Sequence, residues 1–121
     1  MAIQQEIGQL GEQIAAQYLE SRGYLIFDQN YHFGKGEIDL VAFIPNEIVF
    51  VEVKTRSNTQ FEYPEQAVTS QKKKLLYQTA EAYLYERKLE TVPARFDVIS
   101  IGLDDPDHPD IQHFIDAFRP G

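Results

Sequence analysis

The sequence predicts a mixed α/β domain in the order α-β-β-β-α-β-β, with a helix on either side of one sheet. Three observations predict it. Two long stretches repeat apolar side chains every three or four residues. Shorter stretches between and after them are rich in β-branched and aromatic residues. One of these, Ile48-Val49-Phe50-Val51, is an unbroken apolar run of the kind that suits a central strand covered on both faces.

The first helix spans residues 4–22, with Ile7, Leu10, Ile14, Ala15, Tyr18 and Leu19 on one face and Gly23 as its stop. Gly8 and Gly11 within it each cost about 1 kcal/mol relative to alanine. Either a neighbour approaches closely there or the helix starts later. Residues 24–33 (Tyr24, Ile26, Phe27, Tyr31, Phe33) form a first strand, bent at Asp28-Gln29-Asn30, and Gly34-Lys35-Gly36 is a turn. Strands 37–44 and 47–54 follow, joined at Pro45-Asn46. Residues 55–69, with Pro64, show no period and are expected to be a loop. Ser70 is placed as the cap of a second helix reaching about Leu89, with Leu75, Leu76, Thr79, Ala80, Tyr83 and Leu84 facing the core. After Pro93, residues 95–101 form a fourth strand, 104–109 an acidic turn, and 111–118 a short edge strand. Residues 1–121 are one domain's worth of chain.

Composition excludes some chemistries. With no cysteine, disulfides, thiolate nucleophiles and cysteine-based zinc sites are ruled out. No apolar run approaches the ~20 residues that span a bilayer, and residues 1–6 lack the basic and apolar segments of a signal peptide, so a cytoplasmic protein with no membrane partner is expected. There is no phosphate-cradling glycine motif and no Gly-x-Ser-x-Gly elbow. The formal charge of −8 disfavours nonspecific DNA binding, but it is uneven: acids crowd Asp104 to Asp116, while Lys72, Lys73 and Lys74 stand together.

The informative stretches are Gly36-Glu37-Ile38-Asp39-Leu40 and Phe50-Val51-Glu52-Val53-Lys54-Thr55-Arg56. Strand alternation puts Glu52 and Lys54 on one face, about 6.6 Å apart. If Ile44 pairs with Glu47, Asp39 falls opposite Glu52, with Cβ atoms roughly 4.5–5.5 Å apart. Two carboxylates so placed repel unless a cation bridges them. One reading is therefore a Mg²⁺ or Mn²⁺ site that reaches substrate phosphate, with Lys54 assisting the attacking water. The other is structural: the same register sets Glu37 opposite Lys54, a cross-strand salt bridge worth roughly 0.2–1 kcal/mol if exposed. Spacing alone leaves the two open. Proline suits the tight mirror-image turns poorly, and a three-residue loop at Pro45 would break the register.

These residues resemble the YraN-like family of bacterial proteins, within the restriction-endonuclease-like superfamily, almost end to end. Gly8-Gln9-Leu10-Gly11-Glu12 and Ala15-Ala16-Gln17-Tyr18-Leu19 match its opening helix, and the two stretches above match its central motifs. Ala67-Val68-Thr69 with Lys72, then Arg95-Phe96-Asp97-Val98 and Asp116-Ala117-Phe118, match its later ones. The resemblance implies a restriction-endonuclease-like mixed sheet flanked by helices, and an active site similar to that of archaeal Holliday-junction resolvases. It implies Glu12, Asp39 and Glu52 as the metal-binding acids of that site and Lys54 as its basic residue. The chain departs from the pattern at Gln66, where such relatives are often acidic.

The expected function is thus metal-dependent phosphodiester hydrolysis of DNA, branched or structured DNA included, with Asp39, Glu52 and Lys54 catalytic and Arg56 and Lys72 on the nucleic-acid backbone. A homodimer is expected, since one small acidic domain offers little surface for DNA. The alternative is a noncatalytic module that binds nucleic acid or protein on a nuclease fold. His32, His108 and His113 show no metal-ligand spacing, Asp97 is read as a structural partner of Arg95 or Arg56, and Tyr77, Tyr83 and Tyr85 as packing residues.

Overall fold

The computed structural model describes residues 2–56 and 68–119. Its elements are α1 (Ala2–Ser21), β1 (Leu25–Phe33), β2 (Gly36–Ile44), β3 (Glu47–Arg56), α2 (Ser70–Glu86), β4 (Ala94–Gly102) and β5 (Asp110–Phe118), the order the sequence predicts. The strands form a five-stranded sheet in chain order, in which β3 and β4 are parallel and the other neighbours antiparallel. The apolar run of β3 is therefore central, with one helix on each face.

Two cores result. Under α1, Ala15, Ala16 and Leu19 pack on Leu40, Ala42, Val49, Val51, Ile99 and Ile101. Under α2, Leu76, Ala80 and Tyr83 pack on Ile38, Val41, Ile48, Phe50 and Val98. Leu10, expected in the first core, is 40% exposed. Tyr83 is fully buried and donates to Asp28 Oδ2 at 2.7 Å, whereas Tyr85, expected to pack, is exposed.

Several boundaries shift for identifiable reasons. Ser70 is the first residue of α2, not its cap; Thr69 caps it, accepting from the Lys72 N–H at 3.1 Å. The helix ends at Glu86, where the Arg87 N–H closes on the Tyr83 carbonyl and Lys88 takes a φ of 58°. Thr55 and Arg56, expected in a loop, extend β3 because Ile101 and Gly102 of β4 pair with them. The remainder of that expected loop as far as Ala67, Pro64 and Gln66 included, lies outside the described residues. The bend in β1 is a bulge between Ile26 and Asp28, followed by Asn30 at a φ of 54°. The β2–β3 link is the two-residue one: Ile44 pairs with Glu47. Proline's fixed φ near −65° followed by Asn46 at 68° satisfies a type II turn, so Pro45 does not lengthen the loop.

Two glycines set how closely the helices approach. A Cβ on Gly11 of α1 would stand 1.9 Å from Thr55 Oγ1 near the end of β3. A Cβ on Gly36, which begins β2 and belongs to the strand, not the turn, would stand 1.9 Å from Thr79 Oγ1 of α2. Gly8 has nothing within 4 Å. Both tight approaches flank the same end of the β2–β3 pair.

Candidate active site

The β2–β3 ladder pairs residues from Ile44–Glu47 to Leu40–Val51, and there it stops. Beyond it, Ile38 packs under α2 while Leu40, two residues on, packs under α1. Side-chain alternation therefore slips at Asp39. In place of the next backbone acceptor, Asp39 Oδ2 takes the Val53 N–H at 2.8 Å. On β3, Glu52 and Lys54 continue the Ile48–Phe50 face toward α2. Asp39, Glu52, Lys54 and Lys72 thus line one cleft of about 320 Å³, together with Lys35, Glu37, Leu75 and Leu76.

The electrostatics of this cleft are unusual. Glu52 is only 6% exposed. Burial, and then the Glu52 carboxylate in hydrogen-bond contact, push the Asp39 carboxyl up to about 9. The two acids cannot both ionise without a nearby cation. Lys54 is held below the usual lysine range by burial and by the adjacent Lys72 ammonium. Lys72 reaches in from the first turn of α2 and ion-pairs Glu52 Oε2; burial lowers its pKa, but the contacts with Glu52 outweigh that and raise it.

Among the described residues no group of three or more His, Asp or Glu side chains is gathered at metal-binding spacing. Two hard carboxylates on adjacent strands nevertheless fit a Mg²⁺-type ion, which keeps waters and completes its shell with substrate phosphate. Glu12, implied as a third ligand, hydrogen-bonds Asn30 and lies close enough to Glu37 and Glu52 for their charges to raise its pKa, after burial as the larger cause. It stands beside the pair; the lining of the cleft does not include it.

Arg56 ends β3, partly buried, outside that lining. The three consecutive lysines divide: Lys72 enters the cleft, Lys73 sits 5.3 Å over the Phe118 ring, and Lys74 is exposed. Glu37 faces His32 across to β1 at 3.7 Å, as its pairing there dictates, instead of bridging to Lys54. The Glu37–Lys54 bridge of the structural alternative is thus not formed, and Glu52 of that segment pairs with Lys72.

A second polar cluster lies on the α1 face. Asp97, fully buried, accepts from Arg95 Nε (2.9 Å) and Nη2 (3.1 Å), His113 Nε2 (2.7 Å) and the Asp116 N–H (2.9 Å). The Tyr18 hydroxyl meets His113 Nδ1 at 3.1 Å, and Tyr24 accepts from Arg95. Asp97 therefore joins the first helix to β4 and β5, and His113 is a satisfied buried histidine. A larger groove of about 700 Å³ runs beside α2 between Phe33 and Tyr85, but Glu81, Glu86 and Glu90 line it and, among the described residues, no cation does.

What sequence reasoning missed is that Lys72 pairs with Glu52 and that Gly36 and Thr79 bring α2 against β2 to make this happen. The only signal was Gly36 itself, taken as part of a turn.

Residues 11–101 match the family model described as "Uncharacterised protein family UPF0102". The chain is 44% identical over 120 residues to a UPF0102 protein of Bacteroides thetaiotaomicron, covering 99% of this chain and 98% of the relative. It is 45% identical over 113 residues to one of Syntrophomonas wolfei (93% and 97% covered). A UPF0102 protein of Clostridioides difficile is 42% identical over 113 residues (93% and 96%).

Proposed function

The chain belongs to the UPF0102 family, the YraN-like proteins, and we propose that its cleft is the active site of a metal-dependent nuclease that hydrolyses DNA phosphodiesters. One observation carries this reading: the Asp39–Glu52 carboxyl pair, too close for both to ionise unaided, shares its cleft with Lys54 and Lys72. The side chains of Asp39 and Glu52 would hold a Mg²⁺ or Mn²⁺ ion, with Glu12 beside them. Such an ion supplies charge to the phosphate oxygens and lowers the pKa of bound water.

Lys54 would assist the attacking water as a proton acceptor, a role that a lysine pKa held below its usual range by burial and by Lys72 favours. The water oxygen bonds to phosphorus, the P–O bond to the leaving sugar oxygen breaks, and that oxygen takes a proton from solvent water, giving a phosphomonoester and an alcohol. Lys72 and Lys35, on the same cleft wall, meet the phosphate charge. Three lysines thus face one cleft together with Glu37, Asp39 and Glu52, so attraction for a polyanion there depends on the cation that the acids would hold.

The test is cleavage of end-labelled linear, flapped and four-way DNA in Mg²⁺, with and without chelator. Cleavage lost in chelator and in Lys54→Ala supports the nuclease. DNA binding that is unaffected by both, with no product on any substrate, supports a noncatalytic module.

A further inference from the structure

Lys72 does more in this cleft than line it. Its ammonium ion-pairs Glu52 Oε2, and Glu52 is the buried partner: its side chain is 6% exposed against 40% for Lys72. Leaving Glu52 without a cation would cost the full desolvation of a buried charge. Lys72 can leave toward solvent on a flexible four-carbon stem, whereas Glu52 is fixed in the central strand. A divalent ion bound by Asp39 and Glu52 would compete with Lys72 for the Glu52 carboxylate, because two cations on one carboxylate repel each other.

The exchange has a destination. Lys72 sits in the first turn of α2, its backbone fixed by the Thr69 cap. Gly36 holds the next turn of that helix, at Leu75 and Thr79, tightly against β2. The ammonium that leaves Glu52 therefore stays at the cleft, where it already stands within hydrogen-bond contact of Lys54. Once off Glu52, that ammonium needs another anion, and a phosphate oxygen is such an anion.

We propose, resting on the metal-site reading above, that Lys72 is a tethered place-holder on Glu52: a divalent ion displaces it, and the freed ammonium then holds the substrate phosphate beside Lys54. Metal and DNA binding are thereby coupled through one side chain. Thermodynamic reciprocity requires each to strengthen the other.

The experiment is calorimetric titration of Mn²⁺ into wild type, Lys72→Met and Lys35→Met, each confirmed folded by its melting curve. Lys35 lines the same cleft and controls for simple loss of positive charge. Lys72→Met is expected to bind Mn²⁺ about tenfold more tightly than wild type, with Lys35→Met changed much less. Titration of a short DNA duplex in Ca²⁺ should then show that metal strengthens DNA binding in wild type and far less in Lys72→Met. Equal Mn²⁺ affinities for wild type and Lys72→Met, or equal gains in both variants, would overturn the place-holder while leaving the metal site intact. Absence of Mn²⁺ binding in all three proteins would overturn the metal site itself.

Discussion

The Asp39 carboxylate accepts the backbone N–H of Val53 at 2.8 Å, filling the place of a strand partner just where the β2–β3 ladder ends. That bond ties β2 to β3 through a side chain where their backbones no longer pair. It fixes one carboxylate oxygen and leaves the rest of the group against Glu52.

Asp39→Asn keeps an amide oxygen for the Val53 N–H but removes the charge. We expect its melting temperature in chelator to be no lower than wild type, because the variant removes the burial cost and the Glu52 repulsion that raise the Asp39 pKa. Its Mg²⁺ affinity should fall by more than about a hundredfold, the upper end of what losing a mere outer-shell partner costs. Asp39→Ala should lose stability as well. Calorimetry and melting curves on both variants separate the charge from the hydrogen bond; retained Mg²⁺ affinity in Asp39→Asn would sink the metal site.

Much of this was legible in the chain. Helical spacing located both helices because each buries one stripe, and the Ile44–Glu47 pairing led from a two-residue turn to the meeting of Asp39 and Glu52. The route differed: the ladder stops at Leu40–Val51, and the acids meet across a slip in alternation that no periodicity encodes. Leu10 was misjudged because the residue at closest approach to β3 is its neighbour Gly11, whose lack of a side chain carries no hydrophobic signal. Lys72 over Glu52 depends on how α2 crosses the sheet. That is set by Gly36 against Thr79, a contact between residues 43 positions apart in sequence.

Gly8, Gly11 and Gly36 should respond differently to an added methyl group. Gly11→Ala and Gly36→Ala each force a methyl to 1.9 Å from a threonine hydroxyl, Thr55 and Thr79 respectively. Each is expected to destabilise by about 1–3 kcal/mol, the usual cost of overpacking. Gly8→Ala meets nothing within 4 Å and should stabilise α1 by up to about 1 kcal/mol. Adding Thr79→Ala to Gly36→Ala should recover part of the loss, a non-additivity readable by urea unfolding of the single and double variants. Simple additivity there would refute the proposed contact.

Acid should unfold the protein partly through Asp97. Burial raises its pKa, but His113, Arg95 and the Asp116 N–H outweigh this and leave it below the normal aspartate value. A depressed folded-state pKa contributes stability that is complete above the unfolded value of about 4 and is lost as pH falls through the folded value. Asp97→Asn should therefore be less stable than wild type by about 3 kcal/mol at pH 7, since it leaves Arg95 and His113 short of a buried partner. The gap should narrow steadily below about pH 4. Denaturant unfolding of both proteins across that range checks it, and a gap independent of pH would mean the carboxylate charge is not what holds β4 to β5.

Lys54 separates chemistry from binding. It lies on the same face of β3 as Glu52, and burial with the neighbouring Lys72 depresses its pKa. Removing it takes away no carboxylate, so Lys54→Met should bind Mn²⁺ at least as tightly as wild type. Loss of a general base alone slows turnover by roughly 10²–10⁴-fold. Single-turnover cleavage at saturating protein and Mg²⁺ is the measurement, because saturation removes any change in DNA affinity from the rate. A Lys54→Met protein that cuts at the wild-type rate under those conditions would leave Lys54 as a phosphate contact and move proton transfer to another group. A rate lost with metal affinity intact would place the depressed lysine in the hydrolytic step.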